Sequence, residues 1–205
     1  MAELISKHCW GTPKCGISFA KKFFRNIERD INYNFILVRN PYKRLVSFYI
    51  NKVIYQGDAP WTLKEKYEFE VPIPHFEIID TGVSFEEFIK LLGMVDVTQA
   101  ERHLKPQFMW VEDKTFNKVV HMENFKEDIK EVCEVLDFDY DKIKQKKSNH
   151  FNRTEDIIEY VHDKPTSWFR ENGLPKNYEL YYTQEMKDIV YNLYKKDFEL
   201  FNYSK

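Results

Sequence analysis

The sequence predicts an α/β fold with a central parallel sheet flanked by helices, and three observations point to it. Strand-like and helix-like segments alternate from the start of the chain. The clearest strand candidate, Asn34-Phe35-Ile36-Leu37-Val38, is a short apolar run of the kind that suits a strand covered on both faces. A loop bracketed by Gly11 and Gly16 joins the first strand candidate to the first helix candidate, where a helix N-terminus can receive an anion.

Taken in order, Leu4 to Trp10 reads as the first strand and Ile17 to Glu28 as the helix it feeds. Asn34 to Val38 is the second strand, followed by a helix over about Pro41 to Tyr55. Residues 56–82 are irregular, with Pro60, Pro72 and Pro74 among aromatic residues, and are expected to form a substrate-facing flap. Ser84-Phe85-Glu86-Glu87 is a capping box opening an amphipathic helix to Leu92. Asn117 to His121 reads as a third strand, and Asn124 is expected to cap a helix ending near Leu136. Residues 148–180 are loop-rich and are expected to face substrate or cofactor. Thr183 then caps a closing helix in which Met186, Ile189, Val190 and Leu193 keep helical period. Neither an internal repeat nor a low-complexity tract interrupts this order.

A chain of 205 residues is expected to form one domain, residues 1–205, and to bury roughly 70% of its unfolded surface. Aromatic residues at 17% supply core material. A net charge of −2 argues against nucleic acid as a bulk electrostatic partner. The opening Met-Ala-Glu-Leu-Ile-Ser carries no apolar run of signal or anchor length, and no stretch of the sequence is long and apolar enough to span a membrane. Three cysteines, Cys9, Cys15 and Cys133, are too few for a disulfide framework, which suits a reducing compartment. Cytoplasmic or otherwise soluble placement is therefore expected.

The loop carries the chemistry. A nucleotide phosphate loop of the form G-x-x-x-x-G-K-[ST] needs a lysine after its second glycine. Gly11, Gly16 and Ser18 keep that spacing, but Ile17 occupies the lysine position and the loop's cation is Lys14. The amides of Cys15, Gly16, Ile17 and Ser18 can still point at an anion from a helix start. The second strand then ends in Arg39, where a magnesium-dependent phosphotransferase would place an aspartate. Arg39 offers a planar donor fork to a phosphate dianion. Ser47 lies eight positions on, two helical turns away and able to return to the same ligand.

Together these segments resemble the sulfotransferase family that uses 3′-phosphoadenosine 5′-phosphosulfate (PAPS). Thr12-Pro13-Lys14-Cys15-Gly16-Ile17-Ser18-Phe19 is similar to that family's 5′-phosphosulfate loop. Val38-Arg39-Asn40-Pro41-Tyr42-Lys43-Arg44-Leu45-Val46-Ser47-Phe48-Tyr49 is similar to its 3′-phosphate motif, in the form of the Golgi carbohydrate sulfotransferases and their microbial and viral relatives. Weaker echoes follow in order at His103-Leu104-Lys105-Pro106-Gln107, at Val119 to Phe125 and at Leu193 to Phe198.

The resemblance implies a P-loop-type sulfotransferase fold, PAPS as donor with 3′,5′-ADP as product, no metal, and a hydroxyl of a glycan or small molecule as acceptor. Golgi members carry a membrane anchor, so a lumenal domain with its anchor removed is the alternative to a natively soluble chain. Residue by residue, Lys14 is expected on the bridging oxygen of the donor, and Pro13, Cys15, Gly16, Ile17 and Ser18 around its 5′-phosphate. Phe19 is expected either near the adenine or in the core. Arg39 and Ser47 are expected on the 3′-phosphate. Arg44, on the same helix, either contacts the nucleotide or forms an exterior salt bridge.

The acceptor hydroxyl needs a general base, and histidine is the usual choice. His103 is expected to fill that role or else to be a packed histidine. Glu101 is the runner-up, since some glycan sulfotransferases use a glutamate, and His8 beside the loop is a further alternative. His162 is expected at the surface. Two other readings remain at this point: a P-loop kinase, opposed by Ile17 and Arg39, and a nucleotide-binding module without catalysis.

Overall fold

The computed structural model of the chain describes residues 33–55, 82–100, 102–111, 115–142 and 153–205. The expected first strand, the Gly11–Gly16 loop, the helix after it, the flap and the start of the second loop-rich stretch lie outside the described residues. Those described fall into two compact units, one holding residues 33–40 and 107–142, the other the remainder.

The first unit is built on β1 (Phe35–Val38) and β2 (Lys118–His121), which pair in parallel with Phe35 opposite Lys118 and Val38 opposite His121. After β2 a 3₁₀ turn, Met122–Asn124, runs straight into α3 (Phe125–Val135). Ile129, Val132, Cys133 and Leu136 fall on one face of that helical stretch and bury against Phe35 and Val120. This is a small open α/β layer whose long connection between parallel strands is what parallel pairing demands. Burial pushes the Cys133 thiol up to about 11. Asn124 stands at the helix start as expected, yet its side chain makes no capping bond. The 3₁₀ turn before it already winds the backbone, so the extended geometry that aims an N-cap side chain is absent.

The second unit begins with α1 (Pro41–Phe48), which continues as a wider π-helical segment through Tyr49–Tyr55. Proline at the first helical position costs no hydrogen bond and presets φ. Next comes α2 (Phe85–Leu92), opened by the capping box: the Ser84 hydroxyl accepts from the Glu87 amide, and Glu87 accepts from the Ser84 amide at 2.7 Å. Between Val83 and the preceding chain, Gly82 has a φ of +85°, and a Cβ there would meet the Thr166 hydroxyl at 1.9 Å, so both conformation and space require glycine. Residues 153–181 hold more regular structure than a loop-rich reading implies, namely β3 (Arg153–Thr154), α4 (Thr166–Asn172) and β4 (Leu174–Pro175), with β3 and β4 paired in parallel. Short elements between prolines and a glycine leave little periodicity to read. Thr183 caps α5 (Gln184–Leu193) by accepting from Met186, and α6 (Lys195–Leu200) follows after Tyr194.

An aromatic core holds this unit together. Phe85, fully buried, meets Tyr49, Tyr181 and Tyr182 edge-on at 5.2, 5.5 and 5.0 Å. Edge-to-face geometry sets positive ring edges against negative faces and adds roughly 0.5–1.5 kcal/mol per pair beyond burial. Tyr49 and Tyr182 donate their hydroxyls to the carbonyls of Val83 and Tyr42, so these two buried phenols find backbone partners.

Candidate functional site

The parallel pair β1–β2 ends at Val38 and His121, and the chain beyond it must satisfy its backbone groups some other way. Side chains do so. Gln107, at the head of a 3₁₀ turn (Gln107–Trp110) and only 6% exposed, faces the Arg39 backbone. Its Oε1 accepts from the Arg39 amide at 2.9 Å, and its Nε2 donates to the Arg39 carbonyl at 2.8 Å. A primary amide carries the same donor and acceptor as a peptide, so Gln107 adds one rung beyond the end of β1. At the next residue the Asn40 amide donates to Glu123 Oε1 at 3.1 Å. Arg39 itself is half-buried. This places a cation just past the C-terminal end of a parallel strand, where open α/β sheets take their ligands.

In the second unit α1 carries both Arg44 and Ser47, three positions apart and so on one face of the helix. Ser47 is half-buried. Arg44 turns inward, which corrects the expectation of an exterior salt bridge. Its side chain is 13% exposed, its Nη2 donates to the Lys105 carbonyl at 2.5 Å, and its Nη1 lies 3.9 Å from Oδ2 of the fully buried Asp197 on α6. The guanidinium also sits 6.0 Å from the centre of the Tyr194 ring. Tyr194 donates its hydroxyl to the Leu104 carbonyl at 2.7 Å. Burial drives the Tyr194 phenol far above its ordinary range, so it remains a donor at any physiological pH. His103 is half-buried in the turn immediately before these two anchored carbonyls.

His162 also departs from expectation. It is partly buried rather than a surface residue, with Nδ1 3.1 Å from Glu86 Oε2 and its carbonyl accepting the Glu86 amide. It therefore ties the start of α2 to the 153–181 stretch and takes no part in the candidate site.

Of the residues singled out from sequence, Arg39 lies in the first unit and Ser47 and His103 in the second. Pro13, Lys14, Cys15, Gly16, Ile17, Ser18, Phe19 and Glu101 lie outside the described residues. Gln107, Glu123, Tyr194 and Asp197 were not assigned roles by sequence reasoning, although each falls within one of the three weaker echoes. Their presence in those stretches was the available signal. Partners 68 to 153 residues away in sequence are what gives them a purpose.

A parallel strand pair backed by a helix, with an arginine just past the end of one strand, gives the first unit the α/β character that the sequence predicts. A family model described as the sulfotransferase family matches residues 18–204, and the chain belongs to that family. The match takes in Arg39, Ser47, Glu101, His103 and Gln107 and begins at Ser18, so the expected roles of Pro13 to Ile17 rest on their own sequence. Comparison with curated proteins and with solved structures gives no match. Family membership makes the chain a transferase of sulfuryl groups. Among the described residues no helix is long and apolar enough to cross a membrane.

Proposed function

We propose that this chain transfers the sulfuryl group of PAPS to an acceptor hydroxyl, that of a carbohydrate. The observation that carries the proposal is Arg39, whose backbone Gln107 holds just past the end of β1 while Glu123 holds the amide of the next residue. A strand ending in a guanidinium suits a phosphate dianion, where a magnesium-dependent phosphotransferase would carry an aspartate. The carbohydrate acceptor follows from the glycan-directed form of the Val38–Tyr49 motif.

In the reaction an acceptor oxygen attacks sulfur in line, a new S–O bond forms, and the bond from sulfur to the 5′-phosphate oxygen breaks. Arg39 and Ser47 hold the 3′-phosphate throughout. Lys14 offsets the charge that grows on the departing oxygen, the kind of contribution that dominates such transfers. His103 accepts the proton leaving the acceptor hydroxyl, and Glu101 is the alternative acceptor for it. Neither role needs a metal, since lysine, arginine and backbone amides meet the donor's charges.

Isothermal titration with 3′,5′-ADP, 5′-AMP, ATP and GTP, with and without magnesium, tests the donor. A charge-assisted contact contributes about 1.5–3 kcal/mol, so 3′,5′-ADP should bind roughly tenfold or more tightly than 5′-AMP, and without metal. Equal affinities would sink the donor assignment. Magnesium-dependent preference for ATP would favour a kinase instead. Tight 3′,5′-ADP binding with no sulfate transferred from PAPS to any glycan would favour a module without catalysis.

A further inference from the structure

We infer that Gln107 is a positioning residue for donor recognition: by clamping the backbone of Arg39 it sets the enzyme's selectivity for a nucleotide bearing a 3′-phosphate. The inference rests on the proposed role of Arg39 and deepens it.

Arginine reaches its ligand through four rotatable bonds, so the direction of its Cα–Cβ bond decides where the guanidinium can arrive. That direction follows from the φ and ψ of Arg39. Gln107 engages the amide on one side of this Cα and the carbonyl on the other, at 2.9 and 2.8 Å, and so restrains both torsions together. Glu123 holds the next amide, that of Asn40. Three side-chain bonds thus fall on two consecutive residues just where the sheet ladder has stopped. A buried glutamine is itself a cost unless both ends of its amide are satisfied, and here Arg39 supplies a partner to each. Swapping the amide's oxygen and nitrogen would set donor against donor and acceptor against acceptor, so only one orientation fits. A mere strand terminus could be satisfied by water. A two-bond clamp from a residue 68 positions away fixes the backbone from which this cation projects.

The test is binding of 3′,5′-ADP and 5′-AMP, read as the ratio of their affinities, in variants checked for folding by thermal melts. Gln107→Met keeps the volume and removes both bonds; Gln107→Glu keeps the acceptor for the Arg39 amide and removes the donor. Gln107→Met should lower the ratio by about five- to tenfold while 5′-AMP affinity stays within about twofold, and Gln107→Glu, which sets an acceptor against the Arg39 carbonyl, should lower it at least as far. If Gln107→Met does not fold, the ratio in Gln107→Glu decides the matter alone. Arg39→Ala should lower the ratio to the remainder that Ser47 supplies, and adding Gln107→Met to it should change the ratio no further. An unchanged ratio in Arg39→Ala would overturn the 3′-phosphate role of Arg39, and this inference with it. A collapsed ratio in Arg39→Ala with Gln107 variants that weaken both nucleotides alike, or neither, would overturn the inference alone.

Discussion

Arg44 and Tyr194 hold consecutive carbonyls of a single turn, Arg44 that of Lys105 at 2.5 Å and Tyr194 that of Leu104 at 2.7 Å. One comes from α1 and the other from the junction of α5 and α6, so the turn that follows His103 is pinned from two directions. Asp197, fully buried, sets a carboxylate beside the Arg44 guanidinium. The backbone that follows His103, the proposed base, is thus held by side chains of two helical segments.

Arg44→Met should destabilise the protein by about 3 kcal/mol or more, because it leaves the buried Asp197 carboxylate without its guanidinium and the Lys105 carbonyl without its donor. Arg44→Lys should recover part of the loss, since it restores charge but not the planar fork. Urea denaturation of the two variants measures the difference. A loss below about 0.5 kcal/mol in Arg44→Met, the size of a surface effect, would show that the pair is not a buried one.

Lys14→Ala and Arg39→Ala should fail in opposite ways. Charge on the bridging oxygen grows as the S–O bond breaks, so Lys14→Ala should lower kcat more than donor affinity. Arg39→Ala should weaken donor binding with a smaller effect on kcat. Steady-state kinetics with PAPS alongside 3′,5′-ADP titration separates the two, and exchanged phenotypes would exchange the roles.

His103→Ala should retain nucleotide affinity and lose about a hundredfold in turnover, the usual contribution of a positioned base. Near-normal turnover by a folded His103→Ala would pass the role to Glu101 or His8. Glu101→Gln provides the matching measurement.

Acid stability should depend on Glu86. A hydrogen bond from Lys90 at 2.6 Å is the largest influence holding its carboxyl below the ordinary 4.5, with His162 assisting and burial opposing. A carboxyl whose folded value is depressed adds stability above its unfolded value and loses it as pH falls through the folded one. The parent should therefore lose stability on acidification below pH 4.5, and Glu86→Gln should show a flatter fall over that range. Urea midpoints measured from about pH 6 to pH 3 give the comparison. Identical slopes would mean that Glu86 gains nothing from its neighbours on folding.

Much of the local structure was legible without coordinates. An unbroken apolar run announced β1, Ser84 with Glu87 announced the start of α2, and Thr183 with a helical apolar period announced α5, because each depends on residues within a turn or two of one another. The Val38–Tyr49 motif was legible for the same reason, and the family match spans it. Distant pairing decided the rest. Nothing near Arg44 in sequence tells that it points inward to Asp197, 153 positions on, and nothing near Gln107 tells that its amide completes the end of β1. Asn124 had the right chemistry for a cap, but the 3₁₀ turn before it removed the backbone geometry a cap requires. Short-range pattern sets which elements form. Which polar side chain satisfies which backbone group is settled only when elements remote in sequence come together, since the cost of an unpaired buried group is felt only then.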